Sequence, residues 1–585
     1  RQIENALQWK ELLPAFSLPD SLPDLNELAE FLGYKKYDGS PGEAFNLEIK
    51  ELRENVRVIY EDIFSPGGHG SFEKMAIRVV LGHTEEEQGR RFLESLGFPK
   101  PEETSRNLFR LINGRDSSIE AYTHPSVERF APKLLRSLSD LPDPGGALER
   151  LTRIIDSYSA RYTLFDVLNS NHSFMELLVA ITHGSVFLTD ILSKDPSLLD
   201  WLVEVGEIRN PPDTKKITKE FLSVNRGCES NEEFTKACLS IKNREELRIG
   251  SRSITGLADT RETFANLAIL AESVVKTAYE RAFGLLGGKD FSRTHGYAFT
   301  VMAAGRLGAG VMDFGSDLDL IFIYQSSAPL KRGAEISEYS VKLAQIILSL
   351  ITGGGGIDKI YDVDARLRPE GGASVLAISL DEYRKYLDTR AAEWERLALV
   401  RARPAAGNDH LAAKIENLVS SFVYRGRFTR QEISNIMNIR SKMSDNSQKR
   451  YPGQINVKSG PGGQADIDFI AQTSAAHYGK ETPLIRCRDS LDILKALGAA
   501  HLLDRHDTAT LIESYRFLQD TEKCLRIGSG RSVNVVPLTG SVDIARAAGL
   551  LGFRNIRRFR KKLEDVNALT QEQYNRLMGK LLDEA

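Results

Sequence analysis

The stretch "GSDLDLIFIY", Gly315 to Tyr324, sets two aspartates at the head of a run that is otherwise apolar. Side chains alternate along a strand, so Asp317 and Asp319 share one face, about 7 Å apart along it. Ile321 and Ile323 continue that face into a core. Two bare carboxylates so placed repel each other and lose hydration. A divalent cation removes both costs. Mg²⁺ takes hard oxygen ligands and leaves positions for water and phosphate, which suits such a pair. Gly315 lets the backbone approach a phosphate closely, and Ser316 offers a hydroxyl and an N–H. A strand end with two solvated carboxylates reads the same way, so the pair does not decide by itself.

A second stretch adds weight. In "IDKIYDVDARLRP", Ile357 to Pro369, strand alternation puts Asp362, Asp364, Arg366 and Arg368 on one face. A third carboxylate beside two others is the pattern that holds two Mg²⁺ ions for in-line displacement at phosphorus. The arginines suit a triphosphate or another anion. Periodicity does not choose between Asp362 and Asp364.

Around these strands the pattern is helical. "TRETFANLAILAESVVKTAYERAF" places Phe264, Leu267, Ala268, Ala271, Val274, Val275 and Ala278 on one face. "DPSLLDWLVEVG" predicts a helix with Asp195 as N-cap and Pro196 in its first position, and "DPGGALERLTRIIDSY" starts in a similar way at Asp143. Residues 105–245 read as helix after helix. The α/β signal is confined to about 290–405, where "GYAFTVMAAG" is a strand, "DLDLIFIY" a second, "SEYSVKLAQIILSLIT" a helix and "IDKIYDVDARLRP" a third strand after the flexible connection Gly353 to Gly356. The expected fold class is α+β and predominantly helical, with one small α/β module flanked by helical bundles.

The chain also echoes itself. Glu4 to Pro19 resembles Glu522 to Pro537, and "LAEFLGY" (Leu28 to Tyr34) matches "AAGLLGF" (Ala547 to Phe553). The chain begins with Arg1 rather than Met, within what reads as folded sequence. The expectation is a fragment that starts inside the tail of one copy of a unit and carries a complete second copy. The domains expected are a helical tail over 1–64, a connector over 65–104, a helical central domain over 105–245, the α/β module over 246–427 and a C-terminal helical bundle over 428–585.

Composition limits the partners. The 585 residues carry a net charge of −3 with 27% charged residues, which argues against long nucleic acid held by phosphate neutralisation. Cys228, Cys238, Cys487 and Cys524 are dispersed, form no CxxC pair and read as reduced thiols of a cytoplasmic protein. No apolar run reaches about 18 residues and no signal peptide is present, so no membrane partner is expected. "GLLGGKD" lacks the glycine spacing and the Ser/Thr of a P-loop, and the ten histidines show no HExxH spacing.

Five motifs in order then become recognisable. "AAGRLGAG", "GSDLDL", "VDARLRPEGG", "WERLALVRAR" (Trp394 to Arg403) and "KSGPGGQADIDF" (Lys458 to Phe469) resemble the glutamine synthetase adenylyltransferase/adenylyl-removing enzymes. These carry polymerase β-type nucleotidyltransferase modules, and their motifs read GMGKLGG, GSDxDL, VDxRLRPxG, WExxALxRAR and KxGxGGxxDIEF. Arg306 stands where Lys is usual, Ala304 departs from the Gly-Met-Gly context, and Asp468 replaces Glu.

The resemblance implies transfer of AMP from ATP to a tyrosine of glutamine synthetase. Asp317, Asp319 and Asp364 are the implied catalytic and Mg²⁺-binding residues. Gly315, Ser316, Arg306, Arg366, Arg368 and Lys458 are the implied ATP contacts. A single GSDxDL after a long helical stretch resembles the adenylylating, C-terminal module of the family. The alternatives are the phosphorolytic, adenylyl-removing activity and an RNA nucleotidyltransferase. By resemblance, the PII signal protein and glutamine are candidate regulators.

Overall fold

The computed structural model describes residues 21–32, 40–42, 45, 49, 71–114, 125–203, 206–329, 332–353, 358–537, 542–553 and 555–585. It is α+β and predominantly helical. The chain forms two compact units, Arg1–Ser139 and Asp140–Ala585.

The described part of the first unit is helical: Leu22–Phe31, Ser71–Val80, Glu86–Ser95, Pro101–Asn113 and Pro125–Ser139. Leu108, Leu111 and Ile112 are buried on one of these helices, and Phe130, Leu134, Leu135 and Leu138 on another, the i, i+3, i+4 stripes of amphipathic helices. Of the internal echo, Glu4 to Pro19, Gly33 and Tyr34 lie outside the described residues. The remainder shows a shared burial pattern: Leu28 and Ala29 are buried in the first copy, and the matching Ala547 and Ala548 in the second.

In the second unit, helices fill residues 144–254 with no strand among the described residues. Asp143 caps its helix as the sequence predicts, its carboxylate accepting from the Gly146 N–H. Asp195 also caps: its Oδ1 accepts the Ser197 N–H at 3.3 Å, while its own N–H closes the preceding helix on Ile191 O. The regular helix then runs from Ser197, one residue later than the expected start at Pro196.

The α/β module starts with α1 (Thr260–Leu285), whose predicted apolar face is fully buried. It continues through β1 (Tyr297–Ala303), the single-turn α2 (Gly305–Ala309), β2 (Leu318–Ser326), α3 (Gly333–Thr352), β3 (Val363–Asp364), β4 (Ala377–Ser379), α4 (Glu393–Val400) and β5 (Arg403–Gly407). β1 pairs antiparallel with β2 and β5, while β3 and β4 both add parallel to the far edge of β2. α1 and α3 cover one sheet face. The other face, carrying Met302, Ile321 and Ile323, joins one apolar core with the C-terminal helices. β2 is thus buried on both faces, which is why "LIFIY" is continuously apolar.

The third strand differs from the sequence reading. Only Val363 and Asp364 are extended and paired. The strand ends because Asp364 Oδ1 accepts the Arg366 N–H at 2.8 Å, a side-chain turn that competes with the ladder. Pro369 follows without a donor. Asp362, Asp364, Arg366 and Arg368 therefore do not share a strand face. Gly353 ends α3, and Gly354 to Gly356 lie outside the described residues.

Beyond the module, β6 (Ile455–Asn456) pairs with β7 (Val535–Val536), and α5 (Gln464–Tyr478) and α6 (Arg505–Ser529) pack beside the sheet's open end. All four cysteines are free. No single helix among the described residues is long and apolar enough to cross a membrane.

Candidate active site

The turn before β2 is built from "DFGS". Asp313 O accepts the Ser316 N–H at 3.1 Å, and Asp313 Oδ1 accepts the Phe314 N–H at 2.8 Å. Gly315 has φ +63, and a Cβ there would meet the Gly530 carbonyl at 3.0 Å, so this position needs glycine on both counts. Ser316 is buried. Its hydroxyl accepts from Arg526 Nη1 at 3.0 Å, so both groups that the sequence offered to a phosphate are engaged in the turn.

From this turn the carboxylates follow. Asp317 is exposed and Asp319 half-buried at the end of β2. The parallel register pairs Asp319 with Asp364 and Leu318 with Val363. Asp362 is not on that side. Its carbonyl accepts the Leu318 N–H at 2.9 Å, while its exposed carboxylate is held by Lys359 Nζ at 2.7 and 2.8 Å. The ambiguity between Asp362 and Asp364 is thus one of register: Asp364 is the residue opposite Asp319.

Burial, and then the negative charges of Asp317 and Asp364, push the Asp319 carboxyl up to about 6. Lys458 and Arg401 oppose the rise. "AAGRLG" supplies the floor of this site. The Ala304 N–H donates to Asp319 O at 2.9 Å, and a Cβ on Gly305 would lie 1.8 Å from Asp319 Oδ2.

The basic residues divide into two groups. Arg306 is committed inside the protein. It pairs with Glu522, approaches Asp313 at 3.5 Å and reaches Gln464 Oε1 at 3.4 Å. Arg526 joins the same network, 2.8 Å from Glu522 and 3.7 Å from Asp313. Glu522 is held low by the two guanidiniums against the effect of burial, whereas burial raises Asp313. Arg368 donates to the carbonyls of Ala365, Ser374 and Gly372 and so staples its own loop. Arg401 pairs with Asp468, and Arg403 with Glu272 at 2.5 Å.

Two predicted contacts do face the carboxylates. Arg366 forks onto Asp364, with Nη2 to Oδ2 at 2.5 Å and Nε to both oxygens at 3.0 Å. Lys458 is half-buried, and among the described residues its ammonium makes no hydrogen bond or ion pair. Burial and then the nearby Arg306 lower its pKa, while Asp317 raises it. The loop that carries it is fixed from behind. Asp466 accepts the Gly462 N–H at 2.7 Å and pairs with Arg440 at 2.6 Å.

Sequence reasoning missed the buried network of Asp313, Gln464, Glu522 and Arg526. Its signal was present: Glu522 and Arg526 stand at i, i+4 on the core-facing side of α6, where unpaired charge is untenable.

The donor set fits a hard divalent cation. Asp317 and Asp319 stand at the head of β2 with Asp364 paired opposite Asp319, and Asp319 is pushed up by burial and then by the charges of the other two, a cost that a cation relieves. Among the described residues no three acidic, His or Cys side chains are disposed around a common point, and Asp364 is turned to Arg366.

Comparison with known proteins gives a consistent picture. Residues 175–418 match the glutamate-ammonia ligase adenylyltransferase family model, and residues 431–578 match the GlnD PII-uridylyltransferase model. The bifunctional glutamine synthetase adenylyltransferase/adenylyl-removing enzyme of Rhodopseudomonas palustris (strain TIE-1) is 26% identical over 99% of this chain and 58% of its own length. Those of Thioalkalivibrio sulfidiphilus (26% over 88% of this chain, 55% of the relative) and Idiomarina loihiensis (27% over 89%, 56% of the relative) are similar. The chain spans somewhat more than half the length of these curated relatives. The chain is thus similar, over nearly its whole length, to the bifunctional glutamine synthetase adenylyltransferase/adenylyl-removing enzymes, with the adenylyltransferase family model matching the part that carries the α/β module.

Proposed function

We propose that this site transfers AMP from ATP to a tyrosine hydroxyl of glutamine synthetase. The observation that carries the reading is the register of β2 and β3, which sets Asp364 opposite Asp319, two residues after Asp317. We assign the transferase module to residues 246–427, with residues 428–585 closing the site from the other side. The relatives' printed names and the adenylyltransferase match support the acceptor and the reaction.

Asp317, Asp319 and Asp364 would hold Mg²⁺. Bound there, the metal would neutralise the crowded carboxylates and the charge developing on the phosphates. Gly315 lets the triphosphate approach the backbone, and Lys458 brings an unpaired ammonium to it. Arg366 can reach the phosphates from its exposed position. The carboxylates accept the proton of the tyrosine hydroxyl, whose free pKa is about 10. The phenolate oxygen bonds to the α-phosphorus as the bond to the β-phosphate oxygen breaks, and pyrophosphate leaves. The same chain's likeness to a PII-uridylyltransferase model supports a PII-type regulator, with glutamine as the second candidate.

The test uses α-labelled ATP, Mg²⁺ and glutamine synthetase. Label should appear on the tyrosine-bearing protein and vanish in the Asp317→Ala/Asp319→Ala double variant. Label on RNA instead, or wild-type transfer by the double variant, would overturn the reading.

A further inference from the structure

Asp364, the third carboxylate, is not free. Its Oδ1 accepts the Arg366 N–H at 2.8 Å and Nε at 3.0 Å, while Oδ2 accepts Nε at 3.0 Å and Nη2 at 2.5 Å. This is a complete fork on a carboxylate that is itself 20% exposed. The guanidinium that makes it is 80% exposed, and among the described residues it pairs with no other acidic side chain. Arg368, two residues on, is fixed by three loop carbonyls. The loop is therefore held by Arg368, and Arg366 can leave Asp364 without unfolding it.

The consequence concerns the order of assembly. With Asp364 forked to Arg366, its carboxylate is engaged by a guanidinium, and among the described residues no three acidic side chains are gathered around a common point. A cation arriving alone must displace a bidentate guanidinium. A nucleotide triphosphate offers that guanidinium a stronger, more highly charged partner of the same fork geometry.

We propose that Arg366 is a positioning residue that exchanges partners, holding Asp364 in the absence of nucleotide and releasing it to the cation site when a triphosphate draws the guanidinium away. Cation and nucleotide then bind cooperatively, and each raises the affinity of the other by the same factor. This rests on the nucleotidyltransferase reading above and adds to it an order of loading and a residue that enforces it.

The role predicts opposite signs for two affinities in one variant. Arg366→Gln should tighten Mn²⁺ binding without nucleotide by roughly two- to tenfold, the range expected for loss of an exposed but bidentate pair. The same variant should weaken binding of a non-hydrolysable ATP analogue by about tenfold, through loss of a charge-assisted contact. The enhancement of Mn²⁺ affinity by the analogue, present in the wild type, should fall toward one. Mn²⁺ binding is read by electron paramagnetic resonance of the free ion, with the full chain and no acceptor protein. Asp364→Asn serves as the second variant: it should bind Mn²⁺ weakly whether or not nucleotide is present. Unchanged or weaker Mn²⁺ binding by Arg366→Gln, or a wild-type Mn²⁺ affinity indifferent to nucleotide, would overturn the proposal. A wild-type chain that binds neither Mn²⁺ nor the analogue would instead overturn the transferase reading itself.

Discussion

Gly305 and the carboxylate of Asp319 are in direct apposition: a Cβ added to Gly305 would lie 1.8 Å from Asp319 Oδ2. The glycine also has φ +53, so the position excludes a side chain on two grounds. It opens a single-turn helix whose preceding N–H, that of Ala304, holds the Asp319 carbonyl. The "AAGRLG" motif is thus a platform for the second aspartate.

Gly305→Ala should therefore act on the chemistry as well as the fold. The left-handed backbone costs about 1–2 kcal/mol for alanine, and the carboxylate must move. Urea unfolding should show that loss. AMP transfer at saturating ATP should fall by at least about tenfold, since a displacement of this size disrupts reacting geometry. Wild-type transfer would show that the close approach is not needed.

Asp319 also makes the metal-free fold depend on pH. Its carboxyl is raised to about 6, mainly by burial and then by Asp317 and Asp364, above an unfolded value of about 3.9. The folded chain holds that proton more tightly than the unfolded chain. This contribution to stability is complete below about pH 4 and is lost as pH rises through about 6, leaving a cost on the order of 2 kcal/mol at pH 7. Asp319→Asn should raise the melting temperature of the metal-free protein at pH 7 and flatten its profile between pH 4 and 6.5, while abolishing transfer. Identical profiles for variant and wild type would exclude the carboxylate crowding.

The network behind the turn is structural. Glu522 is fully buried between Arg306 and Arg526, and it also accepts from Gln464 Nε2 at 2.8 Å. Glu522→Gln leaves two buried guanidiniums short of their counter-charge, a loss of about 3–5 kcal/mol. Equilibrium denaturation should register it, and Arg306→Met in the same background should recover part of it. Full additivity of the two losses would mean that the pair does not interact.

Lys458 is predicted to do the reverse. Its ammonium satisfies no partner in the described structure, so Lys458→Ala should leave the unfolding midpoint within about 0.5 kcal/mol of the wild type. Affinity for a non-hydrolysable ATP analogue, measured by calorimetry, should fall by about tenfold. A large stability loss with unchanged nucleotide affinity would make Lys458 structural.

Much of this molecule was legible in the chain itself. The apolar face of α1 follows from its spacing, and each of its predicted residues is buried. The alternation of "DLDLIFIY" placed two aspartates ahead of a doubly buried strand, and five motifs in order pointed to the enzymes that the chain resembles. Local signals carry such features because helix and strand periods are properties of neighbouring residues.

Tertiary structure decided what no local period records. Asp362 and Asp364 alternate equally well along the chain, and only the register of β3 on β2 sets Asp364 against Asp319. The strand expected to carry Arg366 and Arg368 stops after two residues, because a side-chain turn at Asp364 replaces the next ladder bond. Arg306 reads as an ATP contact, yet its nearest counter-charges come from Glu522 and Asp313, which folding brings to it. The sequence by itself determined which side chains could carry chemistry and which elements hold them. Folding decided which carboxylates meet and which cations remain free, since charges pair with whatever the fold brings near them, wherever it lies in the chain.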